Sequence, residues 1–491
     1  MNILHVEDDI DWCKRTVHPA LKAKGLVNIF HAESYAKSIV ALGANQIDYV
    51  VLDLSIPHND LTEASDITHG LNLAQHIRTN FPGMPILILT GQSTDEAVEK
   101  FEDDNDFTIF WDGVERPLFK VRKKRKLPDV IKLLEKSASD LDKIDGIELN
   151  LFDGLQLDCI QKRIIKLFCK DSHALAAKVY PLHAGLSSSR VVSVVLINNQ
   201  DREFHFALAK IDTYQKVDVD CSNFRSHIQK LPVGSFPTLL NQYFAGCGET
   251  KGVFYQFANK YKSDYFTCLL ASDGKALNIL KIVKTFFRNW FQTSVIEQST
   301  VGNIRRLLCS DDKLSKFDGF LSHLDIGGFE KKCLPVRFST QHGDLHGKNI
   351  LVSEDCIPII IDYGDVKKAP SALDSVTLEL SPFFHPSIRN INDVSLDIAE
   401  NWFDDDVYSI YRCFHNHQSF LRQWGKENAF MNRDYVTVVY TYAIRQLTYK
   451  DSSRKRRYLG RYFAHPMMQN RRAKRDDYKP SAVRVTQRYV P

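Results

Sequence analysis

The stretch that decides how this chain is read is Gln341-His342-Gly343-Asp344-Leu345-His346-Gly347-Lys348-Asn349-Ile350-Leu351-Val352, followed by Pro358-Ile359-Ile360-Ile361-Asp362-Tyr363-Gly364-Asp365. It is a loop holding a carboxylate, Asp344, and an amide, Asn349, then a short hairpin strand, then a second carboxylate, Asp362, at a strand end. Phosphoryl transfer needs these parts: one carboxylate to orient and deprotonate an acceptor hydroxyl, and an amide oxygen with a second carboxylate to hold metal across nucleotide phosphates. Asp344 is therefore the candidate catalytic residue, and Asn349 and Asp362 are candidate metal ligands. A lone His-x-Asp would say little, but both motifs occur here in the required order.

These motifs resemble those of the aminoglycoside-phosphotransferase-like branch of the protein-kinase-like superfamily, which reads HGDxxxxN and IDxGD. Asp374, which leads the next helical stretch, matches the residue that supports the catalytic loop in that family. The resemblance implies a bilobal α+β fold, ATP and Mg²⁺ as cofactors, and a nucleotide lobe upstream with a glycine-containing turn and a strand lysine. Gly185-Leu186-Ser187-Ser188-Ser189 supplies the turn, with hydroxyls and backbone N–H groups for phosphate, and Lys210 ends the alternating strand Phe204–Lys210. Taken alone, a glycine such as Gly185 is far more often a hairpin turn than a phosphate cradle. No Glu lies between Lys210 and Glu249, so the partner of Lys210 is Asp218 or Asp220, and the helix pattern favours Asp220. Gly252–Ala258 reads as a strand entering the inter-lobe hinge, where backbone groups at Gln256 and Ala258 would meet adenine. As a plain buried strand it would look the same.

Upstream, short apolar runs (Ile3–Val6, Val27–Phe30, Tyr49–Leu52, Ile86–Leu89) alternate with helical patterns, which implies a doubly wound parallel sheet. Ligands of such sheets sit beyond the carboxyl ends of the strands. Those ends carry Glu7, Asp8, Asp53 and Thr90, a clustered acidic set suited to Mg²⁺. Residues 1–137 resemble a response-regulator receiver domain. That resemblance implies Glu7, Asp8 and Asp53 as metal ligands, Asp53 as phosphoacceptor, Thr90 as the switch hydroxyl, and a histidine kinase or other phosphodonor as partner. The usual Lys-Pro pair is absent. Arg116 and Lys120 compete for the switch cation, and Lys120 is preferred because it follows Pro117-Leu118-Phe119. His58–His69 makes the loop after the acceptor longer than usual.

At about 150 residues per domain, a chain of 491 residues holds about three units. We expect the receiver at 1–137, a linker and packing helix at 138–170, kinase-like N- and C-lobes at 171–260 and 261–450, and a basic segment at 451–491. Arg122–Lys126 is a run of five basic residues that reads as solvated surface. The ten cysteines show no CxxC and no Cys/His ligand cluster, which fits free thiols in a reducing compartment. Met1-Asn2 runs directly into an apolar strand, and no apolar run reaches the roughly 18 residues of a spanning helix. The expectation is a cytoplasmic protein with no membrane partner.

His342 and His346 read as structural hydrogen-bonders or a phosphate contact rather than zinc ligands, since no third ligand sits at helical or CxxC spacing. The aromatic stretch Phe286–Phe291 reads as core. The net charge of +4 belongs to the terminus: Lys450–Pro491 carries 13 Lys/Arg against 3 Asp, which leaves residues 1–449 at −6. That segment suits an acidic partner or nucleic acid, or is simply a solvated terminus. Two functions stand from the sequence. One is a two-component-type signalling protein whose receiver regulates an ATP/Mg-dependent phosphotransferase acting on a protein or small-molecule hydroxyl. The other is a catalytically weak or inactive nucleotide- or partner-binding module gated by the receiver.

Overall fold

The computed structural model describes residues 1–449 apart from 61–62, 82, 92–106, 111–114, 118, 183–188, 245–248, 258–260, 262, 317–325, 389–401 and 404–413. The chain divides into two compact units. One holds Met1–Cys221 and Pro237–Asn259; the other holds Ser222–Phe236 and the chain from Lys260 onward.

The first unit begins with β1 (Ile3–Val6), β2 (Ile29–Ala32), β3 (Tyr49–Leu52) and β4 (Ile86–Thr90). A short antiparallel pair follows, β5 (Phe107–Ile109) with β6 (Glu115–Pro117), and then β7 (Phe119–Lys123). The sheet order is β2-β1-β3-β4-β7, with every neighbour parallel. This is the doubly wound arrangement expected of a receiver-type domain. β1, β3 and β4 are buried along their whole length, so they read as continuous apolar runs without alternation. Val6 pairs with Leu52, and Leu52 with Ile88, so Glu7 and Asp53 leave the sheet at one rim, with Thr90 at the end of the adjacent strand. The helix Ile67–Asn80 lies against the chain just after Asp53. A Cβ on Gly70 would stand 2.3 Å from the Leu54 carbonyl oxygen, so only glycine permits this approach.

The helix Leu127–Asp145 starts on Pro128 in its first turn. The sequence suggests that it stops near Lys136, yet it continues to Asp145. Ser137–Asp140 contains no breaker, and the buried stripe Val130, Leu134, Ser137, Leu141, Ile144 keeps helical spacing. The segment after it has no clean period because it turns at Gly146 and becomes β8 (Glu148–Leu151), an edge strand. The second sheet runs β12 (Leu239–Tyr243), β13 (Thr250–Gln256), β11 (Glu203–Thr213), β10 (Arg190–Ile197), β9 (Ala176–Pro181), β8. Only the β8–β9 pairing is parallel.

A capping box between Asp158 and Gln161 opens the helix Cys159–Asp171, which buries Ile164, Ile165 and Phe168. Phe168 stacks on Phe254 with ring centres 4.2 Å apart. One apolar core joins Leu4, Val50 and Ile86 of the first sheet to Ile164, Val194, Ala209 and Phe254 around the second. Within this unit the Arg163 guanidinium pairs with the Asp48 carboxylate, both buried, and Asp48 also accepts from the Asn2 backbone N–H at 2.6 Å.

The second unit carries two three-stranded antiparallel sheets. One is β14 (Ser263–Asp264), β17 (Ile350–Val352) and β18 (Pro358–Ile360); the other is β15 (Val295–Thr300), β16 (Cys333–Gln341) and β19 (Lys367–Pro370). Its main core packs the wholly buried helix Leu373–Phe384 against Trp402 and the helix Asn432–Leu447. Phe286, Phe287 and Trp290 are buried, as expected of core. The fold class is thus a doubly wound parallel sheet followed by an α+β, kinase-like domain with strand-rich and helix-rich parts. Among the described residues no helix is long and apolar enough to cross a membrane.

Removing one member of a buried ion pair strands the other, which costs about 3–5 kcal/mol. We expect Arg163→Ala to lower the first unit's free energy of unfolding by that amount, measured by urea titration as a fall in the midpoint at unchanged m. The Arg163→Ala/Asp48→Ala double variant should lose less than the sum of the two singles.

Candidate functional site

The strand ends place Glu7, Asp8 and Asp53 with carboxylate oxygens within 4.8 Å of one another. Asp53 N donates to the Val6 carbonyl at 2.9 Å, which locks the acceptor strand to β1, and Ser55 N approaches Asp53 Oδ1 at 3.4 Å. The Ser65 hydroxyl donates to Asp8 Oδ2. Three hard oxygen donors so disposed fit Mg²⁺, which would neutralise their mutual repulsion. Thr90 is buried at the end of β4.

The cation over this rim is Lys124, not Lys120. Lys124 Nζ lies 2.6 Å from Glu7 Oε2 and 2.7 Å from Asp53 Oδ2. Register is the reason. Lys120 pairs with Leu87 near the start of β7, whereas Lys123 pairs with Thr90, so the next residue reaches the carboxyl rim. The basic run is therefore not all solvated surface: the Lys124 side chain keeps only 25% of its exposure. Burial and the Asp53 carboxylate push Glu7 up to about 7 despite Lys124.

In the second unit, Asp374 clamps the loop that opens the decisive stretch. Its carboxylate accepts from His342 N at 2.7 Å and Gly343 N at 2.9 Å. Gly343 has φ +82°, and a Cβ there would stand 2.3 Å from the Asp365 carbonyl oxygen, so the loop can close on Asp365 only with glycine. His342 Nε2 donates to the Ile361 carbonyl at 3.1 Å, and Ile361 N donates to the Asn349 carbonyl at 3.0 Å. These bonds bring the Asn349 and Asp362 segments side by side. Asn349 Nδ2 donates to the Asp344 carbonyl at 2.9 Å, leaving its amide oxygen as the acceptor available to a metal. Asp362 itself has φ +68°, an uncommon conformation for a non-glycine residue. An amide oxygen and a carboxylate fit Mg²⁺ as a partial shell completed by phosphate and water.

Asp344 meets Arg445 Nη2 at 3.1 Å and His346 Nε2 at 3.6 Å. Burial would raise its pKa, but Arg445, helped by His346, holds Asp344 below the usual carboxylate range. His346 Nδ1 accepts from Lys348 N at 3.2 Å, and burial lowers the imidazole's pKa. Beside the loop lies a cavity of about 550 Å³ lined by Lys313, Lys316, Gly343, Asp365, Lys367 and Arg445, among others. Nothing in the motif spacing pointed to Arg445, which arrives from the helix Asn432–Leu447.

In the first unit, Lys210 on β11 pairs with Asp220 on the helix Tyr214–Ser226, Nζ to Oδ1 2.9 Å, and both are buried. The Tyr255 hydroxyl donates to Asp220 Oδ2 at 2.7 Å. Asp218 pairs instead with Lys251. The Ser189 hydroxyl donates to Asp212. Gln256 ends β13, and its backbone N–H donates to the Thr238 carbonyl. Gly185, Ser187, Ser188 and Ala258 lie outside the described residues, as does the basic segment 451–491.

One donor set was not visible in residue spacing. The sequence shows no Cys/His cluster, but β1 and the helical segment after it bring His5, Cys13 and His18 together, with donor atoms within 4.8 Å of one another.

No family model matches the sequence, and no curated protein matches it. Among solved structures, the receiver domain of a Francisella response regulator matches at 18% identity over 28% of this chain and 98% of its own, with a TM-score of 0.21. A thermostable mutant of aminoglycoside phosphotransferase APH(4)-Ia, in ternary complex with AMP-PNP and hygromycin B, matches at 11% identity over 60% of this chain and 94% of its own, with a TM-score of 0.38. Choline kinase LicA from Streptococcus pneumoniae matches at 11% identity over 54% and 98%, with a TM-score of 0.29.

The acidic rim generates a pH effect. Folded Glu7 keeps its proton where the unfolded residue has lost it, so without metal the stability of the fold falls as pH rises from about 4.5 to about 7. Mg²⁺ held by the ionised form would offset that loss. We expect the melting-temperature gap between Mg²⁺-loaded and EDTA-treated protein to widen across this interval, and Glu7→Gln to flatten it.

Proposed function

We propose that this chain is a two-component-type signalling protein of the cytoplasm, in which a phosphoacceptor receiver regulates an ATP/Mg-dependent phosphotransferase of the aminoglycoside-phosphotransferase-like class. The observation that carries the reading is the Asp374-clamped loop, which holds Asp344 and sets the Asn349 segment against that of Asp362.

In this reading Asp344 orients the acceptor hydroxyl and takes its proton as the γ-phosphoryl group of ATP passes to the acceptor oxygen and ADP leaves. Asn349 and Asp362 hold Mg²⁺, which supplies charge neutralisation across the phosphates. Lys210, braced by Asp220, contacts phosphate, as do Gly185 and Ser187–Ser189; Gln256 and Ala258 meet adenine through their backbone. We place the acceptor in the cavity beside Gly343. Its cationic lining, Lys313, Lys316, Lys367 and Arg445, suits a substrate that carries negative charge.

At the receiver, Asp53 accepts phosphate from a histidine kinase or other donor, with Glu7 and Asp8 sharing the metal. Thr90 and Lys124 then contact the phosphoryl group. A second reading, a binding module without turnover, is favoured by one observation: Arg445 already occupies the Asp344 carboxylate.

Incubating the full-length chain with labelled ATP and Mg²⁺, with and without a small phosphodonor, separates the two. General-base loss in Asp344→Asn should cut ATP consumption by about 10²–10⁴-fold while nucleotide affinity stays nearly intact. Turnover retained in that variant would sink the catalytic assignment, and absent turnover in the unaltered chain with tight nucleotide binding would establish the module. Mass spectrometry should find donor-derived phosphate on Asp53.

A further inference from the structure

The helix that follows β1 is built in three consecutive segments: Ile10–Trp12, a π-helical turn Cys13–Val17, and His18–Lys22. The π turn has a geometric consequence. In an α-helix, residues five apart stand about 140° apart around the axis. The i→i+5 bond of the π turn, from His18 N to the Cys13 carbonyl, brings them onto nearly the same face. Cys13 and His18 therefore both point at His5 of β1.

The donor atoms converge on one another. His5 Nδ1 lies 3.1 Å from His18 Nε2 and 3.6 Å from Cys13 Sγ. With metal–nitrogen bonds near 2.05 Å and a metal–sulfur bond near 2.3 Å, a tetrahedral zinc shell has N···N edges of about 3.3 Å and N···S edges of about 3.6 Å. The two spacings at His5 Nδ1 thus match two edges of such a shell, and all three donor atoms lie within 4.8 Å of one another. Hydrogen bonding accounts for these spacings less well, because His5 Nδ1 carries one lone pair or one proton and has two heteroatoms aimed at it. His5 and Cys13 are buried, and His18 is half-buried, which leaves an approach from one side. His31 packs around the set, its ring 5.5 Å from that of His18, and its Nε2 donates to the Glu7 carbonyl at 2.9 Å.

We propose that His5, Cys13 and His18 form a binding site for a borderline-soft divalent cation, zinc above all, with water in the fourth position. Cys13 binds as thiolate, its proton passing to solvent, and the two imidazoles bind neutral through Nδ1 of His5 and Nε2 of His18. Burial already keeps the His5 imidazole neutral. The site is distinct from the carboxylate rim. Oxygen donors there suit Mg²⁺, whereas one sulfur and two imidazole nitrogens select zinc, cobalt or copper. It is independent of any activity of the second unit.

The test uses the untagged full-length chain, stripped with chelator and titrated with Co²⁺ as a spectroscopic stand-in for zinc. The expected result is one equivalent of cobalt bound, with the intense visible bands of tetrahedral geometry and a thiolate-to-cobalt charge-transfer band. Zn²⁺ should bleach both. Cys13→Ser should lose the charge-transfer band, and His18→Gln, on the more exposed ligand, should lose the tetrahedral bands while far-ultraviolet circular dichroism stays unchanged. Asp53→Asn should leave the cobalt spectrum as it is. Only weak octahedral bands, or a spectrum unaltered by Cys13→Ser and His18→Gln but lost in Asp53→Asn, would overturn the proposal.

Discussion

The pairing of Arg163 with Asp48 sets the terms for the first unit. Two opposite charges sit in an apolar core where neither can be left alone without a large desolvation cost. Asp48 immediately precedes β3, the strand that ends at Asp53. Arg163 lies on the helix Cys159–Asp171, whose Ile164 occupies the space a side chain at Gly252 of β13 would need. β13 pairs with β11, Val253 opposite Lys210. The base of β3 and the strand carrying Lys210 are therefore tied through packed elements of one core. Under the proposed function, contiguity of this kind would carry coupling between Asp53 and Lys210. A receiver joined only by a loose tether would lack it.

Asp53, Glu7, Asp220, Asp344 and Asp374 are each met by a cation or by backbone N–H groups. Asp53 and Glu7 share Lys124, Asp220 holds Lys210, Asp344 meets Arg445, and Asp374 takes two amide hydrogens. In part this is the ordinary requirement that buried charge be compensated. Under the proposed function, phosphate would enter the sites of Asp53, Asp220 and Asp344 by competing for a cation already engaged. Lys124 would then be shared between Asp53 and the incoming oxygens, and a metal held by Glu7 and Asp53 would take over part of the compensation of the carboxylates.

What could be read from the sequence follows how local each constraint is. Asp344, Asn349 and Asp362 stand within one hairpin, so their spacing alone encodes their meeting, and Asp374 follows closely enough to belong to the same pattern. Glu7, Asp8, Asp53 and Thr90 were legible for a different reason: parallel strands of one sheet end on one rim whatever their separation in the chain. Lys124 was missed because it depends on where β7 ends, and boundaries are set by pairing with β4. Arg445 was missed because a helix far downstream delivers it, through tertiary packing that carries no local signal. The stretch Leu141–Leu157 gave no period because it combines a helix end, a turn and an edge strand.

The His5/Cys13/His18 set is the extreme case. Its spacings of eight and five residues match no metal motif, since one ligand comes from a strand and the others from a helix whose register is shifted by a π turn. That shift needs a reason, because the π turn is uncommon and is favoured mainly where it serves a site. It also places two kinds of donor on one short segment: imidazole at His5, inside the sheet, and carboxylate at Glu7, just beyond the end of β1. A hard ion such as Mg²⁺ keeps most of its water and takes the carboxylates, while a softer ion takes sulfur and nitrogen. β1 can therefore serve two different ions without either site competing for the other's metal. The two donor sets lie two residues apart along the chain, at His5 within β1 and at Glu7 just beyond its end.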